Sequence, residues 1–228
     1  MKLPNTGLLG LNTQLISDIL ARDLTFVAVT KNQPVQTIKE LINLGVKHIG
    51  ENKVQEFEEK YEKVKEFLAK SNIKDVKFHF IGHLQSNKAA KVVGMFDVIH
   101  SIDSEKIAER VNTTAFEINK KMDVMIQVNI GREKQKYGIM PDKVEEFYNK
   151  IKHFEKENIN IIGLMCIAPD VGEDSRKYFK QMKELKEKLN LPELSMGMTN
   201  DYWIAIEEGS TMVRLGRVLY KKIDSCCG

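Results

Sequence analysis

The chain has 228 residues, of which 42% are hydrophobic and 29% charged, so it can bury a substantial core and is not a disordered or fibrous protein. Its 35 basic and 32 acidic residues are interleaved, as in "EFEEKYEKVKEF", which is typical of solvated helix faces and argues against a nucleic-acid-binding patch. Three cysteines (Cys166, Cys226 and Cys227) cannot build a disulfide framework, and neither a signal-peptide core nor an apolar run of ~18 residues is present, so we expect a cytoplasmic protein without membrane partners.

Short apolar runs rich in β-branched residues alternate along the chain with longer stretches of helical period. Ahead of the first run, residues 10–21 have the pattern of a helix. Strands that alternate with helices run parallel, and burial on both faces explains why these runs are nearly continuous in hydrophobicity. The runs predict eight strands, at 26–30, 46–50, 77–82, 97–102, 123–130, 160–168, 193–198 and 211–216.

Helix boundaries are marked between several of these strands. Pro34 precedes and Gly45 follows a helical stretch, while Ser104 and Asn200 each precede another. Eight such units predict an α/β fold, a (β/α)₈ TIM barrel that uses residues 1–228 as a single domain. The extra amino-terminal helix comes before the first strand, and little or no helix follows the last. A doubly wound open sheet is the alternative.

Lys31 follows the first predicted strand, "FVAVT", at the end of the barrel where functional residues of this fold lie. It is one strand period beyond Val29 and two beyond Val27, so we expect its side chain to point into the barrel mouth. Partial desolvation there would lower the pKa of the amine and make it a nucleophile toward carbonyl groups, which is Schiff-base chemistry. A lysine after a strand is also commonly the first solvated residue of a loop, so Lys31 needs support from elsewhere.

Two loops near the carboxyl terminus supply that support. After the seventh strand, Ser195, Gly197 and Thr199 lead into a helix whose amino terminus favours an anion. After the eighth strand, Gly216 allows the backbone to approach closely. Phosphate commonly binds at these two loops in (β/α)₈ barrels, although each loop alone is equally compatible with an ordinary turn and cap. A lysine at the first strand and phosphate at the last two would suit a phosphorylated aldehyde.

Arg214 lies in the middle of the otherwise apolar last strand, where a buried guanidinium needs partners. A salt bridge to an acidic residue on a neighbouring strand is the commoner arrangement, and donation to an acceptor on a ligand is the other. Lys136, after the fifth strand, is a second lysine that could face the mouth. A solvated loop position is its more usual interpretation.

The histidines predict no metal pair. His79 and His83 are four residues apart, but in a strand and its following loop they do not share a face. We expect His48 and His100, which lie near strand ends, to be satisfied by hydrogen bonds. The sequence also contains no serine hydrolase order, Walker loop or dinucleotide glycine fingerprint.

A series of blocks in order makes the sequence resemble the YggS/PROSC family of pyridoxal-phosphate-binding proteins over nearly the whole chain. Any one block would be weak, but their order is highly specific. The blocks are "VAVTKNQP", "HIGENKVQE", "FHFIGHLQSNK", "IHSIDS", "QVNIGREKQKYG", "GLMCIAP" and "LSMGMTNDYWIAIEEGSTMVRLGR".

The resemblance implies a barrel similar to the amino-terminal half of alanine racemase, with Lys31 forming the internal aldimine to pyridoxal 5′-phosphate. It places Arg214 against the pyridine nitrogen and Asn52 near the ring. At Arg217 the sequence departs from the family, which often has a small hydroxyl residue there. The residues implied around the phosphate, largely through backbone N–H groups, are Ser195, Gly197, Met198, Thr199, Gly216 and Arg217.

The function that the resemblance implies is a carrier or regulator of pyridoxal phosphate in intracellular vitamin B6 homeostasis, without turnover, with pyridoxal-phosphate-dependent apoenzymes as candidate recipients. An arginine at the ring nitrogen favours the unprotonated pyridine and weakens the cofactor as an electron sink. An amino-acid racemase using Lys31 with Lys136 or a tyrosine is the alternative enzyme. A class I aldolase with Lys31 and a sugar phosphate is a second rival. The racemases pair through an additional β domain for which this chain has no room, so we expect a monomer.

Overall fold

The computed structural model describes residues 10–221, and within them eight parallel strands close into a barrel. Each barrel strand pairs with the next along the chain, and the last pairs with the first. This confirms the (β/α)₈ prediction and excludes the open sheet. The strands are β1 (Gly10–Leu11), β2 (Thr25–Val29), β3 (His48–Glu51), β4 (Lys77–Phe80), β5 (Val98–Ile102), β6 (Met122–Val128), β7 (Ile159–Cys166), β8 (Glu193–Ser195), β9 (Met212–Leu215) and β10 (Tyr220–Lys221).

The barrel consists of β2 to β9, and helices lie between its strands. The predicted amino-terminal helix is present, and only a short 3₁₀ turn (Arg217–Leu219) follows β9 before β10 pairs antiparallel with β1. Within residues 10–221 no helix is long and apolar enough to cross a membrane. The helices are α1 (Thr13–Leu20), α2 (Val35–Asn43), α3 (Val54–Lys70), α4 (Ala89–Met95), α5 (Glu105–Glu117), α6 (Val144–Ile151), α7 (Arg176–Lys188) and α8 (Tyr202–Glu207).

Several of the residues that predicted helix boundaries lie at helix ends in the structure. Pro34 lies at the N-cap of α2, and Gly45 adopts a φ of +93° just after that helix ends. Ser104 caps α5, since its Oγ accepts a hydrogen bond from the Ile107 N–H at 3.4 Å. The helix predicted to follow Asn200 begins one residue later, because Asp201 occupies its N-cap position.

The apolar core has two parts. The larger part lies between the barrel wall and the surrounding helices, and the smaller one is a cluster of Val27, Met125, Met165 and Met212. Alternate residues of a barrel strand face inward, so Val27 and Met212 share this interior with polar side chains from the same and neighbouring strands. Cys166 is a buried free thiol at the end of β7, whereas Cys226 and Cys227 lie outside the described residues.

Gly163 marks a close approach between β7 and β8. A Cβ added there would lie 2.2 Å from the backbone oxygen of Glu193, a distance that real Cβ atoms do not adopt. We therefore expect Gly163→Ala to lower the free energy of unfolding by about 1–3 kcal/mol, because backbone rather than a flexible side chain must move.

Gly94 in α4 provides the matched control, since a Cβ there meets nothing within 4 Å. Alanine has the higher helix propensity, so Gly94→Ala should not destabilise the chain. Urea unfolding monitored by circular dichroism measures both variants. Equal midpoints for Gly163→Ala and the wild type would contradict the close approach.

Candidate functional site

The rim of the barrel, meaning the loops that follow the carboxyl ends of its strands, brings the predicted site residues to one place. The register pairs Val29 of β2 with Gly50 of β3 and Ala28 of β2 with Leu215 of β9, and β9 also pairs with β8. The loops after β3, β2, β9 and β8 are therefore consecutive around the rim. They carry Asn52, Lys31, Gly216 and Gly197 in that order.

Lys31 lies on the rim directly after Thr30, a fully buried residue that follows the end of β2. The next residue, Asn32, has a φ of +60°, so the chain turns immediately beyond the lysine. The side chain of Lys31 is exposed rather than partly desolvated as expected, and within residues 10–221 it makes no salt bridge. The amine is thus accessible from the rim.

A buried ion-pair network supports the loop that carries Lys31. Lys60 Nζ of α3 lies 3.0 Å from Glu51 Oε1, 2.6 Å from Glu56 Oε1 and 3.1 Å from the Thr30 carbonyl oxygen. The Thr30 hydroxyl also donates to Glu51 Oε1 at 2.8 Å. The solvated face expected for this part of the sequence is therefore wrong at Lys60, which is 8% exposed.

Glu51 is the centre of this network and is completely buried. Burial raises the pKa of its carboxyl, and the neighbouring Lys60 ammonium opposes that effect. Its second oxygen, Oε2, has no hydrogen-bond partner in the described part of the chain. The hydroxyl of Tyr220 lies nearby and donates to the Val29 carbonyl oxygen at 2.7 Å. Burial, with the charge of Glu51 as the lesser cause, raises the pKa of that phenol.

Asn52 follows Glu51 and is half-buried on the rim. Its Oδ1 atom is fully buried and accepts no hydrogen bond from residues 10–221. The next loop packs closely over it, since a Cβ added at Gly82 would lie 2.1 Å from the Asn52 carbonyl oxygen. Asn52 therefore presents an unused acceptor beside the Lys31 loop.

The loop after β8 is shaped by Gly197. Its φ of +92° and the 2.6 Å between an added Cβ and the Ala205 Cβ leave room only for glycine. For the same reason the predicted strand 193–198 ends early, at Ser195. The Gly197 carbonyl oxygen accepts from the Arg214 N–H at 3.0 Å, which fixes this loop against β9.

Several backbone N–H groups of the last two loops are free to bind an anion. Met198 is an exception, because its N–H donates to the Asp201 carboxylate at 2.6 Å. Burial raises the pKa of that carboxyl, and the hydrogen bond from Met198 opposes it. Free backbone donors of this kind favour a phosphate group. Those without an acceptor among residues 10–221 include the N–H groups of Gly197, Thr199, Gly216 and Arg217.

Arg214 lies beneath these loops, inside the barrel, and is 4% exposed. Within the described chain it has no carboxylate within salt-bridge distance, so the commoner of the two arrangements is wrong. Its Nη1 donates to the Ser195 hydroxyl at 2.6 Å and to the Ser195 carbonyl oxygen at 2.8 Å, and its Nη2 donates to the Cys166 carbonyl oxygen at 2.8 Å. Neutral acceptors therefore hold the buried Arg214 guanidinium, and some of its N–H groups remain without an acceptor.

The loop after β6 places a second group of side chains on the rim. Lys136 Nζ lies 2.5 Å from Glu133 Oε1, so this lysine forms an ion pair within its own loop. Tyr137 stacks on His83, with 3.5 Å between ring centroids and 10° between planes. His83 Nδ1 lies 3.6 Å from the Asp103 carboxylate. Lys136 is therefore less free than Lys31 to react with a ligand.

Comparison with known proteins identifies the relatives of this chain. A model of the alanine racemase N-terminal domain matches residues 8–223. The pyridoxal phosphate homeostasis protein of Aquifex aeolicus is 40% identical over 202 residues, which cover 85% of this chain and 85% of the relative. The chain belongs to the pyridoxal phosphate homeostasis protein family. The resemblance to YggS and PROSC is thus confirmed.

Two further members of the pyridoxal phosphate homeostasis protein family support this assignment. The Schizosaccharomyces pombe protein is 34% identical over 220 residues, covering 92% of this chain and 89% of its own. PipY of Synechococcus elongatus PCC7942, solved with pyridoxal phosphate bound, has a TM-score of 0.79 and 30% identity and covers 91% of this chain and 99% of PipY. The same barrel therefore occurs along the full length of a relative that binds this cofactor.

Sequence reasoning missed two features of this family member. The first is the Lys60 network, although Phe57, Lys60 and Val64 follow the spacing of a buried helix face and could have been recognised by it. The second is a line of three histidines inside the barrel, the half-buried His48 and the buried His79 and His100, whose contacts with one another depend on strand register. Nothing in the local pattern around each histidine indicates that contact.

Proposed function

We propose that the chain binds pyridoxal 5′-phosphate reversibly through Lys31 and takes part in intracellular pyridoxal phosphate homeostasis without turnover of its own. One observation carries this proposal: an exposed lysine, free backbone donors and a buried arginine with unused donors lie on neighbouring strand ends of one barrel. Bound pyridoxal phosphate would supply an aldehyde that condenses reversibly with an amine.

The residues present fit this cofactor. The free N–H groups of Gly197, Thr199, Gly216 and Arg217 would hold the phosphate, and the Ser195 backbone would border it. Met198 would contribute its backbone only if Asp201 released the N–H. Arg217 is exposed, so we assign it a backbone contact. Asn52, with its unused buried Oδ1 atom, would lie beside the ring.

Arg214 supports binding rather than turnover. A guanidinium has no acceptor, so its unused donors would face the ring nitrogen and favour the unprotonated pyridine. That state makes the ring a poor electron sink, which disfavours the carbanion chemistry of aminotransferases. The absence of a carboxylate at Arg214 among residues 10–221 is consistent with this role, because no acid is placed there to protonate the ring.

An amino-acid racemase is the competing function, since the matching model is that of the alanine racemase N-terminal domain. A racemase needs a second group that moves a proton on the opposite face of its substrate. Lys136 is paired with Glu133, and the Tyr220 hydroxyl already donates to a backbone oxygen. These contacts favour the carrier over the racemase. We further propose that the carrier is a monomer and that apoenzymes receive its cofactor.

Absorption spectroscopy of the purified protein with added pyridoxal phosphate tests the proposal. We expect a near-visible band that borohydride removes, and peptide mass mapping should place the reduced adduct on Lys31. A parallel assay of L- to D-alanine conversion should show no turnover. Failure to form a band would overturn the binding proposal and leave the sugar-phosphate aldolase as the surviving rival. Conversion of alanine would establish the racemase instead.

A further inference from the structure

Three histidines form a continuous hydrogen-bonded line across the inside of the barrel. His48 Nδ1 lies 2.9 Å from His79 Nε2, and His79 Nδ1 lies 2.9 Å from His100 Nε2. His100 Nδ1 lies 3.1 Å from the Ser195 hydroxyl, which accepts from Arg214. We call these five residues the histidine chain. It runs from a half-buried ring at one end to a buried guanidinium at the other.

The strand register explains why the rings meet. His48 pairs with Lys77, and His79 lies two residues further along β4. His79 in turn pairs with Val98, and His100 lies two residues further along β5. A step of two residues keeps each side chain on the inner face. Successive rings therefore point inward from adjacent strands, with centroids 5.0 and 5.1 Å apart.

Arg214 fixes the direction of the hydrogen bonds. A guanidinium only donates, so the Ser195 oxygen accepts from it and the Ser195 hydroxyl is free to donate to His100 Nδ1. A neutral imidazole has one donor and one acceptor, and His100 must then donate from Nε2 to His79 Nδ1. By the same step His79 donates from Nε2 to His48 Nδ1. In this arrangement every polar atom from the Ser195 hydroxyl to His48 Nδ1 has a hydrogen-bond partner, and the remaining His48 N–H lies on a half-buried ring.

The opposite direction leaves a group unused. If His100 donated from Nδ1, the Ser195 oxygen would accept twice and its hydroxyl would need another acceptor. Within residues 10–221 no other acceptor lies within hydrogen-bond distance of that hydroxyl. A buried hydroxyl without an acceptor loses its hydrogen bonds to water and gains none in return. The direction set by Arg214 is therefore the favoured one.

We infer that His48, His79, His100 and Ser195 form a one-directional chain of hydrogen bonds that positions the Arg214 guanidinium for the pyridine nitrogen of pyridoxal phosphate. The ligand named here rests on the proposed function, whereas the direction of the chain does not. His79 and His100 are positioning residues, since they act on Arg214 only through Ser195.

The electrostatics of the barrel agree with this geometry. Burial, together with the neighbouring cationic groups, holds the pKa values of His79 and His100 well below the usual range, so both rings are neutral. Neutral rings that all donate away from Arg214 turn their unprotonated nitrogens toward it. Those lone pairs face the guanidinium and offset the cost of burying its charge. The three rings are joined in a line, and within residues 10–221 no cluster of three or more ligating side chains could hold a metal ion.

Nitrogen NMR of the protein without added cofactor tests the direction. Long-range ¹H–¹⁵N correlation at pH 7 should show His79 and His100 as neutral rings protonated at Nε2, assigned with single histidine-to-glutamine variants. Protonation at Nδ1, or a charged ring at either position, would overturn the inference even if pyridoxal phosphate binds normally.

Cofactor titration tests the positioning role. His79→Leu breaks the chain and should weaken pyridoxal phosphate binding by about tenfold, the factor for one lost hydrogen bond. His79→Gln keeps one donor and one acceptor and should restore most of the affinity. His153→Leu, an exposed histidine bonded to the Lys150 carbonyl oxygen, is the control.

The outcomes separate this inference from the proposed function. Equal binding by all three variants and the wild type would overturn the positioning role. A wild type that forms no adduct would overturn the proposed function instead, and the NMR result would still decide the direction of the chain. Thermal unfolding of each variant shows whether a loss of binding merely reflects a loss of folding.

Discussion

Replacing Lys31 by alanine is expected to abolish the borohydride-sensitive absorption band that the protein forms with pyridoxal phosphate. The side chain is exposed on the rim and makes no salt bridge within residues 10–221. Surface substitutions of this kind change the free energy of unfolding by no more than about 0.5 kcal/mol. A complete loss of the band with unchanged urea unfolding therefore assigns the covalent bond to Lys31.

Two variants control this experiment. Lys136→Ala removes a rim lysine that is paired with Glu133, so its band should match that of the wild type. Lys31→Arg keeps the positive charge but cannot form a Schiff base, because the guanidinium stays protonated. It should therefore behave like Lys31→Ala. A band that survives in Lys31→Ala and disappears in Lys136→Ala would move the covalent bond to the loop after β6.

Acidification is expected to destabilise the protein steeply between about pH 6.5 and pH 5. Burial lowers the folded pKa values of His79 and His100 well below those of exposed imidazoles. The unfolded chain binds a proton at each of these histidines below pH ~6.5, whereas the folded chain binds none. The free energy of unfolding must then decrease as the pH is lowered, by about 1 kcal/mol per pH unit for each histidine.

Buried carboxyls act in the opposite sense and must be separated from this effect. Burial raises the pKa values of Glu51, Asp103 and Asp201, so these groups gain protons in the folded state first and add stability as the pH falls toward their unfolded values. The three carboxyls are present in both the wild type and His79→Gln, so the difference between the two proteins in the pH dependence of unfolding excludes the carboxyl contribution. Urea unfolding at each pH should give the variant a slope shallower by about 1 kcal/mol per pH unit. Parallel slopes would show that His79 is protonated in the folded chain.

The sequence contained enough to place the barrel and most of the rim. Continuous apolar runs separated by helical stretches admit few arrangements other than a parallel barrel or an open sheet, and the structure decided between them. The rim positions of Lys31, Gly197 and Gly216 follow directly from that choice, because carboxyl ends of parallel strands share one edge. Predicting these positions required only the position of each strand end, and the local sequence pattern defines those ends.

The contacts within the site could not be predicted in the same way. His48 and His79 are 31 residues apart, and Ser195 follows His100 by 95 residues, so their meeting depends on register and barrel closure. The expectation that Lys31 is partly desolvated failed because the turn at Asn32 comes immediately after it. The charged neighbours of Lys60 predict a solvated side chain, whereas its position on α3 faces the barrel.

The pairing of the first and last barrel strands sets the order in which this site can be assembled during synthesis. Ala28 pairs with Leu215, so the barrel wall beside Lys31 is missing until residue 215 has left the ribosome. Neighbouring strand and helix units can form earlier, because their contacts are local. This closure has the largest sequence separation among the barrel pairings and requires residues 212–215. A nascent chain therefore displays Lys31, the proposed Schiff-base residue, before it has the loops that would hold a phosphate.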